Sequence, residues 1–206
     1  MDILIHPTYF PNVAHFVAML KADHIIFEHC DNFQKQTYRN RTYIFDANGK
    51  LLLSIPVHHT QKNRQLYRDV KVSNKEHWQS IHWKALLSAY STSPFFEFYK
   101  DELIHLFEVP ISNLMSFNIK TIKTIFECLQ LDFNYTFTST YEASHKDLVD
   151  CRTLVNCKKE QPHDFESYTQ VFSYKHGFLQ NLSILDLLFN EGPNAVDYLK
   201  SQNIKL

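Results

Sequence analysis

Ile3, Leu4 and Ile5 form an unbroken apolar run that stops at His6, the pattern of a short buried strand. Val13, Phe16, Val17 and Leu20 then recur at i, i+3, i+4 and i+7. That spacing lays one apolar stripe along a helix beginning near Pro11. His24 to Glu28 (HIIFE) reads as a second strand. Strand, helix and strand in this order predict a small parallel unit and an α/β arrangement. Tyr38 to Phe45 and Leu51 to Val57 flank Asp46-Ala47-Asn48-Gly49. Asn-Gly is a strong hairpin signal because both positions accept positive φ. The stretch 58–69 is polar and basic and reads as a long exposed loop, with Val70 to Ser73 as one further strand.

Beyond residue 73 the period changes to that of helices. Ser73 and Glu76 have capping-box spacing ahead of a run to about Tyr90. Ser93-Pro94 reads as an N-cap and first-turn proline for a helix through Phe107. Met115, Asn118, Ile119, Ile122, Ile125, Phe126 and Leu129 mark a third helix. Residues 142–165 turn polar and irregular and read as a surface loop. NLSILDLLFNEGP (181–193) is a compact helix with Gly192-Pro193 as its stop. The expected fold is one α/β domain over 1–206, with α+β as the alternative. A sheet-rich half (1–73) holds a small mixed sheet made of the β-α-β unit and an antiparallel hairpin. A helical stretch (74–131) and C-terminal helices (183–200) complete it.

Composition narrows the chemistry. The 206 residues are 44% hydrophobic and 15% aromatic, enough for a sizeable core. Net charge is −1 with histidines neutral, so there is no global electrostatic reason to bind nucleic acid or an anionic membrane. Only three glycines occur, none adjacent, which excludes a glycine-rich phosphate loop. No cofactor is implied. Four cysteines (Cys30, Cys128, Cys151, Cys157) show neither C-x-x-C spacing nor the density of a disulfide scaffold. Cys128 falls in a helical core pattern. The five residues between Cys151 and Cys157 fit metal ligation poorly, and no metal is expected. No basic leader and no apolar stretch near ~18 residues is visible, so a cytoplasmic, reduced protein without a membrane span is the expectation.

Candidate chemistry is sparse. His6 stands where ligands gather in parallel sheets, outside a strand's carboxyl end and before a helix N-terminus. On position alone it either ties the bend or works on a ligand. Lys35, Arg39 and Arg41 can clamp a phosphate or carboxylate. In an extended chain Arg39 and Arg41 share a face. The spacing alone fits a solvated charged edge strand better. His82 shares a helix face with Trp78, Ala85 and Ala89, so it is a core histidine or lines a cavity. Asn118 interrupts an apolar stripe and must find partners. Asp186 sits three residues after Ser183, as in a capping box. His58-His59 is weak evidence for metal. No G-x-S-x-G, H-E-x-x-H or telling carboxylate pair occurs.

These stretches together resemble the WbqC-like protein family. Members open with a strand ending in histidine, then an aromatic residue and a proline, here Ile5-His6-Pro7-Thr8-Tyr9-Phe10-Pro11. A basic residue and an Asn-Arg pair follow, here Lys35 and Asn40-Arg41, then Ile55-Pro56-Val57. Trp78 and His82, Ser93-Pro94-Phe95-Phe96, Asn118, and Asn181 to Asn190 continue the pattern over most of the chain. In style the sequence is similar to members from Bacteroidetes-type bacteria. Many members read His-Gln-Pro at the start, whereas Pro7 follows His6 here. A contact made by that glutamine would be replaced, by Thr8 or Tyr9. The resemblance implies a link to O-antigen or other surface-polysaccharide gene clusters. It suggests acyl or aminoacyl transfer to a sugar amine, with His6 as general base or orienting group. Lys35 and Arg41 would clamp a phosphate of a sugar nucleotide or carrier arm, and Tyr9, Asn40, His82 and Asn118 would complete substrate binding. The rival is a non-catalytic module that binds a sugar nucleotide, an acyl carrier or a partner enzyme.

Overall fold

In a computed structural model the described residues are 1–58, 64–145 and 147–205. Four strands form one parallel sheet. β1 (Ile3–Ile5) lies between β2 (Ile25–Phe27) and β6 (Val149–Asp150), and β5 (Tyr135–Phe137) flanks β2, giving the order β5-β2-β1-β6. Ile3 faces Ile25 and Val149 in register, and every β1 residue is buried. A central parallel strand is covered on both faces, which is why its sequence is a continuous apolar run and not an alternation.

The crossover from β1 to β2 is α1 (Val13–Lys21), capped by Asn12, whose side chain accepts from the His15 amide. The last turn carries Lys21, favourably placed against the helix dipole. Phe16 packs on Phe126 of α4 (Leu114–Cys128), which Asn113 caps through the Ser116 amide.

The hairpin β3 (Arg41–Asp46) and β4 (Gly49–Ser54) forms a sheet of its own. Gly49 takes φ +103°, whereas Asn48 keeps a negative φ, so one positive-φ residue and not two closes the turn. Backbone and side-chain bonds hold the hairpin against neighbouring segments. Thr42 Oγ1 donates to Phe10 O, the Ser183 amide donates to Tyr43 O, and the Phe45 amide donates to Tyr90 Oη. The expected strand at Val70 to Ser73 is reduced to isolated bridges, Val57 to Val72 and Lys71 to Asn113.

Several predicted boundaries move. α2 (Trp78–Tyr90) starts after His77 in the left-handed region, and Ser73 instead donates its amide to Pro56 O. α3 (Phe96–Glu108) starts two residues after Pro94, because Ser93 closes the end of α2 by donating its amide and Oγ to Tyr90 O. A short α5 (Ser173–His176) precedes α6 (Ile184–Glu191), which Ser183 caps through the Leu185 amide. Gly192 ends α6 with φ +54° and lies against the Phe95 ring, where a Cβ would stand 2.6 Å from two ring carbons. α7 (Ala195–Ser201) closes the described chain.

Residues 142–165, expected as a surface loop, supply a sheet edge. The Val149 amide donates to Asp2 O, the Cys151 amide to Leu4 O, and Cys151 is buried. Among the described residues no helix is long and apolar enough to cross a membrane, and all four cysteines are free.

Candidate functional site

The carboxyl ends of β1, β2 and β6 deliver His6, Glu28 with Asp31, and Asp150 with Arg152 to one edge of the sheet. A cavity of about 220 Å³ opens there, walled by His6, Asp31, Arg39, Tyr141, Asp150 and Arg152 among others. His6 is 3% exposed. Its Nε2 lies 3.0 Å from Asp31 Oδ2 and 2.7 Å from Arg39 Nη2, and Arg39 Nη2 donates to the same Asp31 oxygen at 2.7 Å. An anionic carboxylate is a stronger acceptor than a neutral imidazole. The Nε2–H tautomer donates to Asp31 and leaves Nδ1 with its lone pair, whereas the Nδ1–H tautomer lets Nε2 accept from Arg39. Nδ1 has no hydrogen-bond partner among the described residues.

Burial, then the Arg39 charge, pushes the His6 pKa down to about 4 against the opposing pull of Asp31. The imidazole is neutral at neutral pH. Burial raises the Asp31 carboxyl, but His6 and Arg39 outweigh it and hold the group below its ordinary range. Arg39 is itself buried. Nη1 reaches Thr37 Oγ1 at 3.5 Å, Nε has no partner among the described residues, and the guanidinium carbon lies 5.4 Å from the Tyr67 ring centre.

Arg152 differs, because all five of its N–H groups are engaged. Nε and Nη2 donate to Asp150 at 2.9 and 2.6 Å, Nη1 to Glu142 O at 2.7 Å and Glu28 Oε2 at 3.3 Å, and Nη2 also to Ala143 O at 3.2 Å. Glu28 is fully buried and accepts in addition from the Cys30 amide and Thr138 Oγ1. The α1 N-terminus is engaged as well. The amides of Val13, Ala14 and His15 donate to Leu182 O, Asn181 Oδ1 and Asn12 Oδ1. The amides that attract anions to such sheet edges are not free here.

The residues expected to bind substrate divide between core and surface. Tyr9 is fully buried, with its hydroxyl 2.9 Å from His82 Nδ1. Burial lowers the His82 pKa to about 4. Asn40 Nδ2 donates to Ile55 O at 3.0 Å. Asn118 Nδ2 donates to Arg39 O and Tyr67 Oη, both at 2.6 Å, and Tyr67 Oη donates to Pro7 O. These four hold the His6 loop and the Arg39 segment in place from behind. Lys35 is exposed and Arg41 half-buried, and neither is part of the cavity wall. Arg39 meets His6 in their place. β3 begins only at Arg41, so strand alternation does not govern the pair and Arg39 turns inward. Asp186 also departs from a capping role. It is fully buried and accepts from Tyr90 Oη, Tyr168 Oη and Gln170 Nε2. His59, of the His58-His59 pair, lies outside the described residues.

Asp31, Asp150 and Arg152 were not singled out from the sequence, nor was the buried His15. His15 Nδ1 donates to Asn12 Oδ1 at 2.6 Å, and Asn12 Nδ2 donates to Glu160 Oε1 at 3.3 Å. Burial, followed by the His6 and His163 charges, pushes the His15 pKa down to about 3. The only local signal for Asp31 was a charged residue soon after a predicted strand, which surface loops share, and Arg152 lay in a stretch read as a loop.

The profile of the WbqC-like protein family matches residues 6–165. The uncharacterized protein Rv1507c of Mycobacterium tuberculosis is 24% identical over 223 residues, spanning 96% of this chain and 96% of its own length. No solved structure gives a significant match.

Proposed function

The chain belongs to the WbqC-like protein family, and from that premise we propose that it serves surface-polysaccharide assembly by transferring an acyl or aminoacyl group to a sugar amine. The observation that supports this reading is the buried His6–Asp31–Arg39 cluster beside the cavity. In the proposed step the amine nitrogen attacks the acyl carbonyl of a donor. The N–C bond forms, and the bond from the carbonyl carbon to the donor's sulfur or oxygen breaks. The amine proton passes to His6 Nδ1 and from there to the leaving group. Asp31 holds the imidazole and offsets the charge that develops on it, the pairing a positioned base needs. Sugar nucleotides and acyl carriers are cytoplasmic, and the reading carries that location with it.

The test is incubation of the purified protein with nucleotide-linked amino sugars and acyl donors, read by mass spectrometry for the acylated sugar. His6→Ala is expected to lower turnover by about 10²–10⁴-fold and to leave the ligand Kd within about twofold. Binding that His6→Ala abolishes, with no product from any donor, overturns this reading in favour of a non-catalytic module.

A further inference from the structure

The proposed reaction leaves open which end of a substrate enters the His6 cavity, and the charges around it decide between an amine and a phosphate. With His6 neutral, the wall sets two carboxylates, Asp31 and Asp150, against two guanidiniums, Arg39 and Arg152, so the order in which they are met decides. The carboxylate side chains are the more exposed, Asp31 at 15% and Asp150 at 35%, with Arg39 at 1% and Arg152 at 10% behind them. An incoming group meets carboxylate first.

A phosphate needs several free N–H donors. Arg152 has none left, since Asp150, Glu28, Glu142 O and Ala143 O take all five. The α1 amides are capped from within the protein. Of Arg39, Nε–H has no partner among the described residues and Nη1 makes only one long contact, to Thr37.

His6 and Arg39, both residues of the wall, each keep a buried polar atom without a partner among the described residues, Nδ1 and Nε, and leaving such groups unpaired is costly.

We propose that the His6 cavity is a subsite for a primary amine, its ammonium group facing Asp31 and Asp150 beside His6, and that it does not take phosphate. The choice of an amino sugar as the ligand rests on the transfer reading above. The charge preference does not.

Protein-observed NMR titration of the full chain with glucosamine, N-acetylglucosamine, glucose and inorganic phosphate tests this. Glucosamine is expected to bind at least about tenfold tighter than the two uncharged sugars, and more weakly as salt rises. Phosphate should neither bind at the cavity nor compete. Asp150→Asn is expected to reduce the preference for glucosamine about tenfold, and Asp31→Asn likewise. Asp150 is partly exposed, so its variant keeps the test alive if Asp31→Asn fails to fold. Equal binding of N-acetylglucosamine, competition by phosphate, or no glucosamine binding overturns the subsite. Glucosamine binding without any acylated product retains the subsite and ends the transfer reading. Acylated product with binding indifferent to charge does the reverse.

Discussion

Three histidines, His6, His15 and His82, are buried in neutral form with pKa values near 4, 3 and 4, in each case chiefly through burial. The folded values lie below the unfolded value near 6.5, so on acidification the unfolded chain takes up these protons first. The contribution to stability is complete above pH 6.5 and is lost as the pH falls from 6.5 toward 4. At about 1.36 kcal/mol per pKa unit, moving from pH 7 to pH 5 costs about 2 kcal/mol per histidine. Three such groups remove roughly 5–6 kcal/mol, a large part of the ~5–15 kcal/mol by which domains are stable. Asp31 and Asp150 have lowered pKa values and act in the same sense, but only below their ordinary range. Asp186, raised by burial, opposes the trend because its folded form binds a proton more readily. Urea unfolding followed by the fluorescence of Trp78 and Trp83 measures the balance. The midpoint should fall by roughly 2–3 M between pH 7 and pH 5. His82→Gln removes one of the three titrating groups and should cut that pH dependence by about a third. A midpoint that moves less than about 0.5 M, or an unchanged slope in the variant, would refute the reasoning.

Two further outcomes concern the frame of the site. Gly192→Ala forces an alanine to φ +54° and drives its Cβ to 2.6 Å from the Phe95 ring; calorimetry should show a loss of about 2–4 kcal/mol, and a loss below about 1 kcal/mol would contradict the packing. Asn118→Leu strips the Arg39 carbonyl of its donor and Tyr67 of a hydrogen bond, while also removing Asn118 Oδ1, which has no partner among the described residues. The net cost should be about 1–3 kcal/mol in urea unfolding. Full stability with lost ligand binding would instead make Asn118 a ligand contact.

Apolar periodicity made the β1–α1–β2 unit legible, because a central strand and its crossover helix bury their residues in regular local patterns. The same signal located α4 and α6. It missed β6, since Val149–Asp150 is too short to show a period and is a strand only because the edge of β1 offers Leu4 O and Asp2 O. Helix starts were read from capping residues, but Ser73 and Ser93 bond to other segments. The same side chains serve turns as readily as caps. Asp186 shows the limit most clearly: its spacing matched a capping box, and its partners Tyr90, Tyr168 and Gln170 come from elsewhere in the chain.

Sequence by itself determined the α/β class, the hairpin at Gly49, the position of His6 at a strand end and, through the order of its motifs, the family. Tertiary structure decided what His6 meets. Asp31 and Arg39 lie 25 and 33 residues away along the chain, and Asp150 arrives on, and Arg152 just after, a strand that has no local signature. It also turned Arg39 inward while leaving Lys35 at the surface. The physical reason is that burial imposes a periodic pattern on each element separately. The pairing of buried charges depends on which elements meet, and nothing in the local spacing of residues records that.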